Sequence, residues 1–241
     1  MLSIKNVKKS FDGGKTFAVN DINFEVKPSE IFGFLGPNGA GKTTTIKMIT
    51  GLLQLDGGSI QINGVDIEKD LIEAKRQFSF VPDSPDVFDR LKGIEYLNFL
   101  GDIYGVGTEN RQEKIAKYAG IFGLNEVLND AMSSYSHGMK QKLLLIGALL
   151  HDPKVLILDE PMVGLDPKSA FKLKEIMNEH CKKGKSVFFS THVLEVAEKI
   201  CHRIAIINKG KIIAQGTIDE LKSMTKNNES LENIFLELTE E

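Results

Sequence analysis

The chain has 241 residues, 41% of them hydrophobic and 26% charged, which are ordinary values for a globular protein able to bury a sizeable core. A formal charge of -3 argues against a general nucleic-acid binder, which carries a basic excess. Two cysteines, Cys181 and Cys201, lack the spacing of a disulfide framework or zinc finger, and the longest apolar run, Leu143 to Leu150, falls well short of the ~20 residues that span a bilayer. A soluble, reduced, cytosolic protein is expected, reaching any membrane through a partner.

In chain order, LSIKNVKKSF, the turn signal Asp12-Gly13-Gly14, the alternating FAVNDINFEV and later GSIQINGVDI predict antiparallel strands. Among them lies IFGFLGPNGAGKTTTIKMITGL, an apolar strand, a Gly-rich turn and a helix. From about Gly93 to Leu150 apolar residues recur at three- and four-residue spacing, which predicts helices. KVLILDE and SVFFSTH, separated by the helical KSAFKLKEIMNEHCKKGK, are bare apolar runs of the kind found in a parallel sheet covered on both faces. RIAIINKGKIIAQG predicts a hairpin across Lys209-Gly210. The polar stretch Ser223 to Ser230 reads as a linker before a short helix whose Leu231, Ile234, Phe235 and Leu238 share one face, as a lid over the core or a contact for a partner.

GPNGAGKT, Gly36 to Thr43, fits G-x-x-x-x-G-K-[ST] after a strand and at the opening of a helix. Its glycines let backbone N–H groups form a concave nest for phosphate, Lys42 supplies a charge, and the Thr43 hydroxyl suits a magnesium shell. In VLILDEP, Asp159 follows four apolar residues at a strand end, where a carboxylate needs a cation. Glu160, on an extended chain, is expected to point the other way and to accept a proton from, or orient, an attacking water. His192 ends a further strand on the edge where ligands of parallel sheets sit, whereas His151, His180 and His202 read as ordinary residues. YSHGMKQKLLLIGALL, from Tyr135, opens a second helix with the look of an anion site, although the chain already has one phosphate loop.

The ordered set GPNGAGKTT, YSHGMKQ, LILDEP, GLDP and STH, over residues 36 to 192, resembles the ATP-binding subunit of an ABC transporter. The resemblance implies an α/β P-loop NTPase of ABC type, a mixed core sheet with an antiparallel β subdomain and an inserted helical subdomain. The ATPase domain would be residues 1–222, with about 85–150 as the helical insertion, and 223–241 would be linker and amphipathic helix. Its Walker A motif would place Gly36, Pro37, Asn38, Gly39, Ala40, Gly41, Lys42, Thr43 and Thr44 around ATP, with Phe11 stacked on adenine. Thr43 and Asp159 would hold Mg²⁺, and Glu160, His192 and Lys42 would carry the catalysis. Ser136 and Gly138 would be the signature, closing on the nucleotide of a second subunit in a head-to-tail homodimer with MgATP. Such a subunit binds no nucleic acid and sits at the cytoplasmic face of the membrane on its permease partner. The alternatives are a soluble ABC-type ATPase acting on nucleic acid or the ribosome, and a permease-bound regulatory ATPase.

Two departures stand out. His137 replaces the first signature Gly and Met139 the usual Gln, while Asp83 occupies the place of the family's metal-touching Gln, which makes Asp83 a third candidate near the metal. An acidic residue there, like the C-terminal SLENIFLEL, resembles the exporter-type branch of the family.

Overall fold

The computed structural model describes residues 1–84, 89–223 and 231–239. The chain opens with β1 (Leu2–Ser10), β2 (Phe17–Val26), β3 (Ile31–Leu35), α1 (Lys42–Ile49), β4 (Gly57–Ile62), β5 (Val65–Asp66), α2 (Leu71–Gln77) and β6 (Phe78–Val81). A helical stretch follows, α3 (Gly93–Ile103), α4 (Thr108–Phe122) and α5 (His137–Leu149). Strands and helices then alternate through β7 (Val155–Asp159), α6 (Pro167–Lys182), β8 (Ser186–Thr191), α7 (Leu194–Ile200) and β9 (Arg203–Asn208). The chain closes with β10 (Lys211–Gly216), α8 (Ile218–Ser223) and α9 (Leu231–Thr239).

The strands form two sheets. β2-β1-β4-β5 is antiparallel, and β10-β9-β3-β8-β7-β6 is parallel except for the β9/β10 hairpin. The composition of the strands explains the difference. Every residue of β3, β7 and β8 is buried, as befits strands covered on both faces, whereas β2 alternates between buried and more exposed positions. Expectation and structure thus agree on an α/β fold with a mixed core sheet and a separate antiparallel sheet. One predicted strand, GSIQINGVDI, is instead a tight hairpin. Asn63 and Gly64 both take positive φ (51° and 85°) between β4 and β5, as a two-residue hairpin turn requires.

Phe24 of β2 joins the sheets, its ring centroid 5.4 Å from those of Phe32 and Phe34 and 5.6 Å from that of Phe188. The opposite face of the parallel sheet packs through Leu156, Leu158, Val187 and Phe189 against apolar residues of α4, α5 and α6. Arg111 of α4 is buried and fixes the α3–α4 corner, donating to Asn98 O (3.1 Å) and Val106 O (3.0 Å) and pairing with Asp102 at 2.5 Å.

One boundary differs from the sequence reading. Ser223 closes α8 rather than starting a linker, its hydroxyl donating to Glu220 O at 2.7 Å. The rest of that stretch, 224–230, and residues 85–88 of the expected helical insertion lie outside the described residues, as does the side chain of Leu238. Leu231 and Ile234 of α9 are fully buried against the core, so this helix covers the fold as a lid. No helix among the described residues is long and apolar enough to cross a membrane.

Candidate nucleotide site

The C-terminal ends of β3, β7 and β8, neighbours in the parallel sheet, bring together residues distant in sequence. A cavity of about 210 Å³ lies there, lined by Ala18, Pro37, Asn38, Gly39, Gly41, Lys42, Thr43, Thr44, Asp83, Asp159 and Glu160.

Its floor is the turn between β3 and α1. Gly39 (φ 79°) and Gly41 (φ 111°) lie in the left-handed region, and a Cβ on Gly41 would come within 2.7 Å of Ala18 O. Gly41 caps α1 without any side-chain hydrogen bond, and no acidic residue stands in the first turn. The helix start therefore keeps its N–H groups and its positive dipole end for an anion. Lys42 curls over the loop, Nζ donating to Gly36 O (2.6 Å) and Pro37 O (3.2 Å). Burial lowers its pKa, and the charges of Glu160 and Asp159 oppose that shift.

Asp159 is almost wholly buried. One carboxylate oxygen accepts from the Ser190 hydroxyl and the other from Thr43 Oγ1 at 3.3 Å. Burial raises its pKa, with Asp83 and Glu160 adding to the rise and the Ser190 and Thr43 hydrogen bonds opposing it. A cation between these groups would relieve the cost of keeping Asp159 ionised.

Glu160 is not extended, as the sequence suggested. Its φ of 46° turns the chain out of β7, and its N–H donates to Ser190 O and Ser190 Oγ, each at 3.2 Å. The left-handed turn, rather than strand alternation, separates its carboxylate from that of Asp159. That carboxylate accepts from the His192 backbone N–H at 3.3 Å and lies 2.9 Å from His192 Nδ1. Ser190 was missed by sequence reasoning. Its signal is the one hydroxyl in β8 that falls directly opposite Asp159 in the strand register.

The other candidates lie elsewhere. Gly36 and Ala40 belong to the same turn behind the cavity wall, Ala40 being buried and its carbonyl accepting from Gly210 N (2.9 Å). Phe11, just past β1, is 69% exposed, so it is no strand core residue; its ring has Lys9 Nζ at 5.8 Å and lies outside the residues lining the cavity. Ser136 and Gly138 also line no part of the cavity. Ser136 caps α5, its hydroxyl accepting from Met139 N at 3.3 Å, and it is exposed together with His137. The α5 start is tied to the loop after Glu160. A Cβ on Gly138 would meet Gly164 O at 2.5 Å, the His137 ring lies against Gly164, and Lys142 pairs with Asp166 at 2.6 Å.

His202 Nδ1 accepts from Ile31 N at 3.0 Å as part of the fold, and burial pushes the pKa of His151 and of His180 down to about 4, so those two are neutral. Among the described residues no three His, Cys, Asp or Glu side chains converge to hold a metal ion by themselves. One buried carboxylate beside a hydroxyl does fit Mg²⁺, which typically takes one or two carboxylates and completes its shell with substrate phosphates.

Comparison with known proteins gives the family and the fold. The profile of the family described as ABC transporter matches residues 19–163. The linearmycin resistance ATP-binding protein LnrL of Bacillus subtilis is 39% identical over 223 residues, 92% of this chain and 71% of LnrL. The solved ATP-binding subunit of an ABC transporter superposes with a TM-score of 0.94 at 33% identity, covering 99% of both chains. The dimeric post-hydrolysis cassette MJ0796 bound to ADP and Pi has the same fold, with a TM-score of 0.81 at 24% identity over 90% of this chain and 98% of that one.

Proposed function

Because this chain belongs to the ABC transporter family as an ATP-binding, ATP-hydrolysing subunit, we propose that two copies close head to tail on two MgATP and drive a separate membrane permease. One observation carries this reading. The phosphate loop and the acidic pair share one cavity, while the second anion-ready helix start, with Ser136 exposed and Gly138 half-buried, is no part of its lining. A second subunit supplies the missing half of each site, and a chain holding Lys42, Glu160, Ser136 and His192 can furnish both halves, hence a homodimer. The dimer formed by MJ0796 supports this assembly. The exporter-type direction is favoured by Asp83 and by the resistance function in the name of LnrL. In this reading the chain is held peripherally at the inner face of the membrane by its permease.

Each residue then has a task. Backbone N–H groups of the turn from Gly36 to Thr44, Pro37 excepted, and the Lys42 ammonium cradle the phosphates, and Phe11 stacks on adenine from its exposed position. Thr43 and Asp159 would hold Mg²⁺, with Asp83 beside them, and the ion would supply positive charge to neutralise the phosphates. Glu160 orients and deprotonates the attacking water. His192 holds Glu160 in the free chain and turns a donor toward the γ-phosphate when ATP is bound. Ser136 of the partner gives up its own cap bond to grip the same phosphate. Stabilisation is electrostatic and positional throughout.

The test of coupling is to co-express the chain with a candidate permease, purify the complex and measure ATPase activity with and without transport substrate. Stimulation by substrate is expected, and a rate equal to that of the free subunit under all conditions would contradict the coupling. Asp83 is tested separately. Asp83→Asn removes one of the three acids that line the cavity, so the Mg²⁺ midpoint of ATPase activity should rise roughly two- to tenfold. An unchanged activity and midpoint would remove Asp83 from the metal's surroundings.

A further inference from the structure

The loop carrying His192 runs straight into α7, a helix of only seven residues. So short a helix does not hold its own shape or direction, and its N-cap, Val193, makes no side-chain capping bond. Its orientation must come from packing on its flanks. On one side Val196 and Ile200 meet the main core beside β8 and α6. On the other, Leu194 and the fully buried Ala197 meet a separate apolar layer that contains Leu35, Ile204, Ile206 and Leu221.

That second layer is completed by the C-terminal helix. Leu231 and Ile234 of α9 are its fully buried members, with Phe235 packed against them, and α9 lies on both α7 and α8. Lys222 of α8 adds a 2.6 Å ion pair to Glu198 of α7. Without α9 this layer would lose Leu231, Ile234 and Phe235, and on that flank α7 would be held only by Leu35, Ile204, Ile206, Leu221 and the Lys222 pair. His192 is itself 55% exposed, so apart from its two contacts to Glu160 its position depends on the backbone leading into α7.

We propose that α9 is a positioning element for His192, with Leu231 and Ile234 fixing the direction of α7 and thereby the reach of the histidine toward Glu160 and the γ-phosphate. The proposal rests on the γ-phosphate role given to His192 above. It assigns the C-terminal segment a part in turnover rather than in nucleotide binding. A small displacement of a positioned group lowers rate steeply, and a loosened α7 is a partial displacement.

The test is steady-state ATPase kinetics of the full chain carrying Leu231→Ala and Ile234→Ala, alone and combined with His192→Ala. The double alanine variant should lose about three- to tenfold in kcat with KM for ATP within about twofold, since the P-loop is untouched. On top of His192→Ala it should cost nothing further, because the residue it positions is already gone. Leu231→Met with Ile234→Leu should retain the parent rate. Thermal unfolding with and without ATP reports folding, and if the alanine pair does not fold, Ile234→Val carries the same comparison. A normal kcat, a KM that rises in step with the loss, or a loss that multiplies with that of His192→Ala would overturn the proposal. If His192→Ala alone turns over at the full rate, the reading of His192 itself falls and takes the proposal with it, a result distinct from the others.

Discussion

Glu160→Gln is expected to bind ATP, lose at least about a hundredfold in hydrolysis and accumulate as a dimer in MgATP. The substitution keeps the size of the side chain and an oxygen able to accept from the His192 backbone N–H, so the turn out of β7 should survive. It removes the one carboxylate of the acidic pair that is free of Ser190 and Thr43 hydroxyls and able to take a proton from water. It also removes a negative charge from the lining of the phosphate cavity, which favours the ATP-bound state. Size-exclusion chromatography with light scattering, beside an ATPase assay, checks both halves of the prediction. A variant that stays monomeric at saturating MgATP, or hydrolyses at the parent rate, would show that Glu160 has another task.

Lys42→Ala should weaken ATP binding by about tenfold or more and reduce hydrolysis to about 1% or less, while leaving the fold intact. In the free chain the ammonium is drawn out of water and bonded to two loop carbonyls, Gly36 O and Pro37 O. Burial disfavours its charged form, and an anionic phosphate bound beside it would favour that form again, as Glu160 and Asp159 already do in part. Those two bonds both stay within the turn between β3 and α1, at buried Gly36 and half-buried Pro37. Calorimetric ATP titration and a thermal melt separate the effects. Near-normal affinity would mean that backbone amides alone carry the phosphates.

The features that position the site were the easiest to see in the sequence. IFGFL, VLILD and SVFFST are continuous apolar runs, and only a sheet covered on both faces buries every residue of such a run. Gly39 and Gly41 announce the phosphate turn because their left-handed φ values disfavour other residues. Glu160 was harder, since a glutamate at φ 46° breaks the propensity that sequence reasoning uses, and the strain is held by two bonds from its N–H to Ser190. Ser190 itself signals nothing until the β7/β8 register sets it opposite Asp159. The apolar face of α9 was visible as a periodicity, but its target, α7, is a tertiary fact that spacing within α9 does not encode. The contact between His137 and Gly164 is of the same kind, a pairing of two loops across the fold.

The central claim is that each hydrolytic site is built from two chains, and it is tested most directly by mixing two disabled variants. Lys42→Ala spoils the phosphate loop, and Gly138→Val spoils the signature, because a side chain there meets Gly164 O. Each homodimer should be nearly inactive. Mixed and exchanged in MgATP, about half of the dimers would be heterodimers, each with one site made of an intact loop facing an intact signature, so about a quarter of the parental activity should return. Recovery toward that level is the predicted result. A mixture no more active than its two components would contradict the account, because a site complete within one chain gains nothing from a partner that carries the other defect.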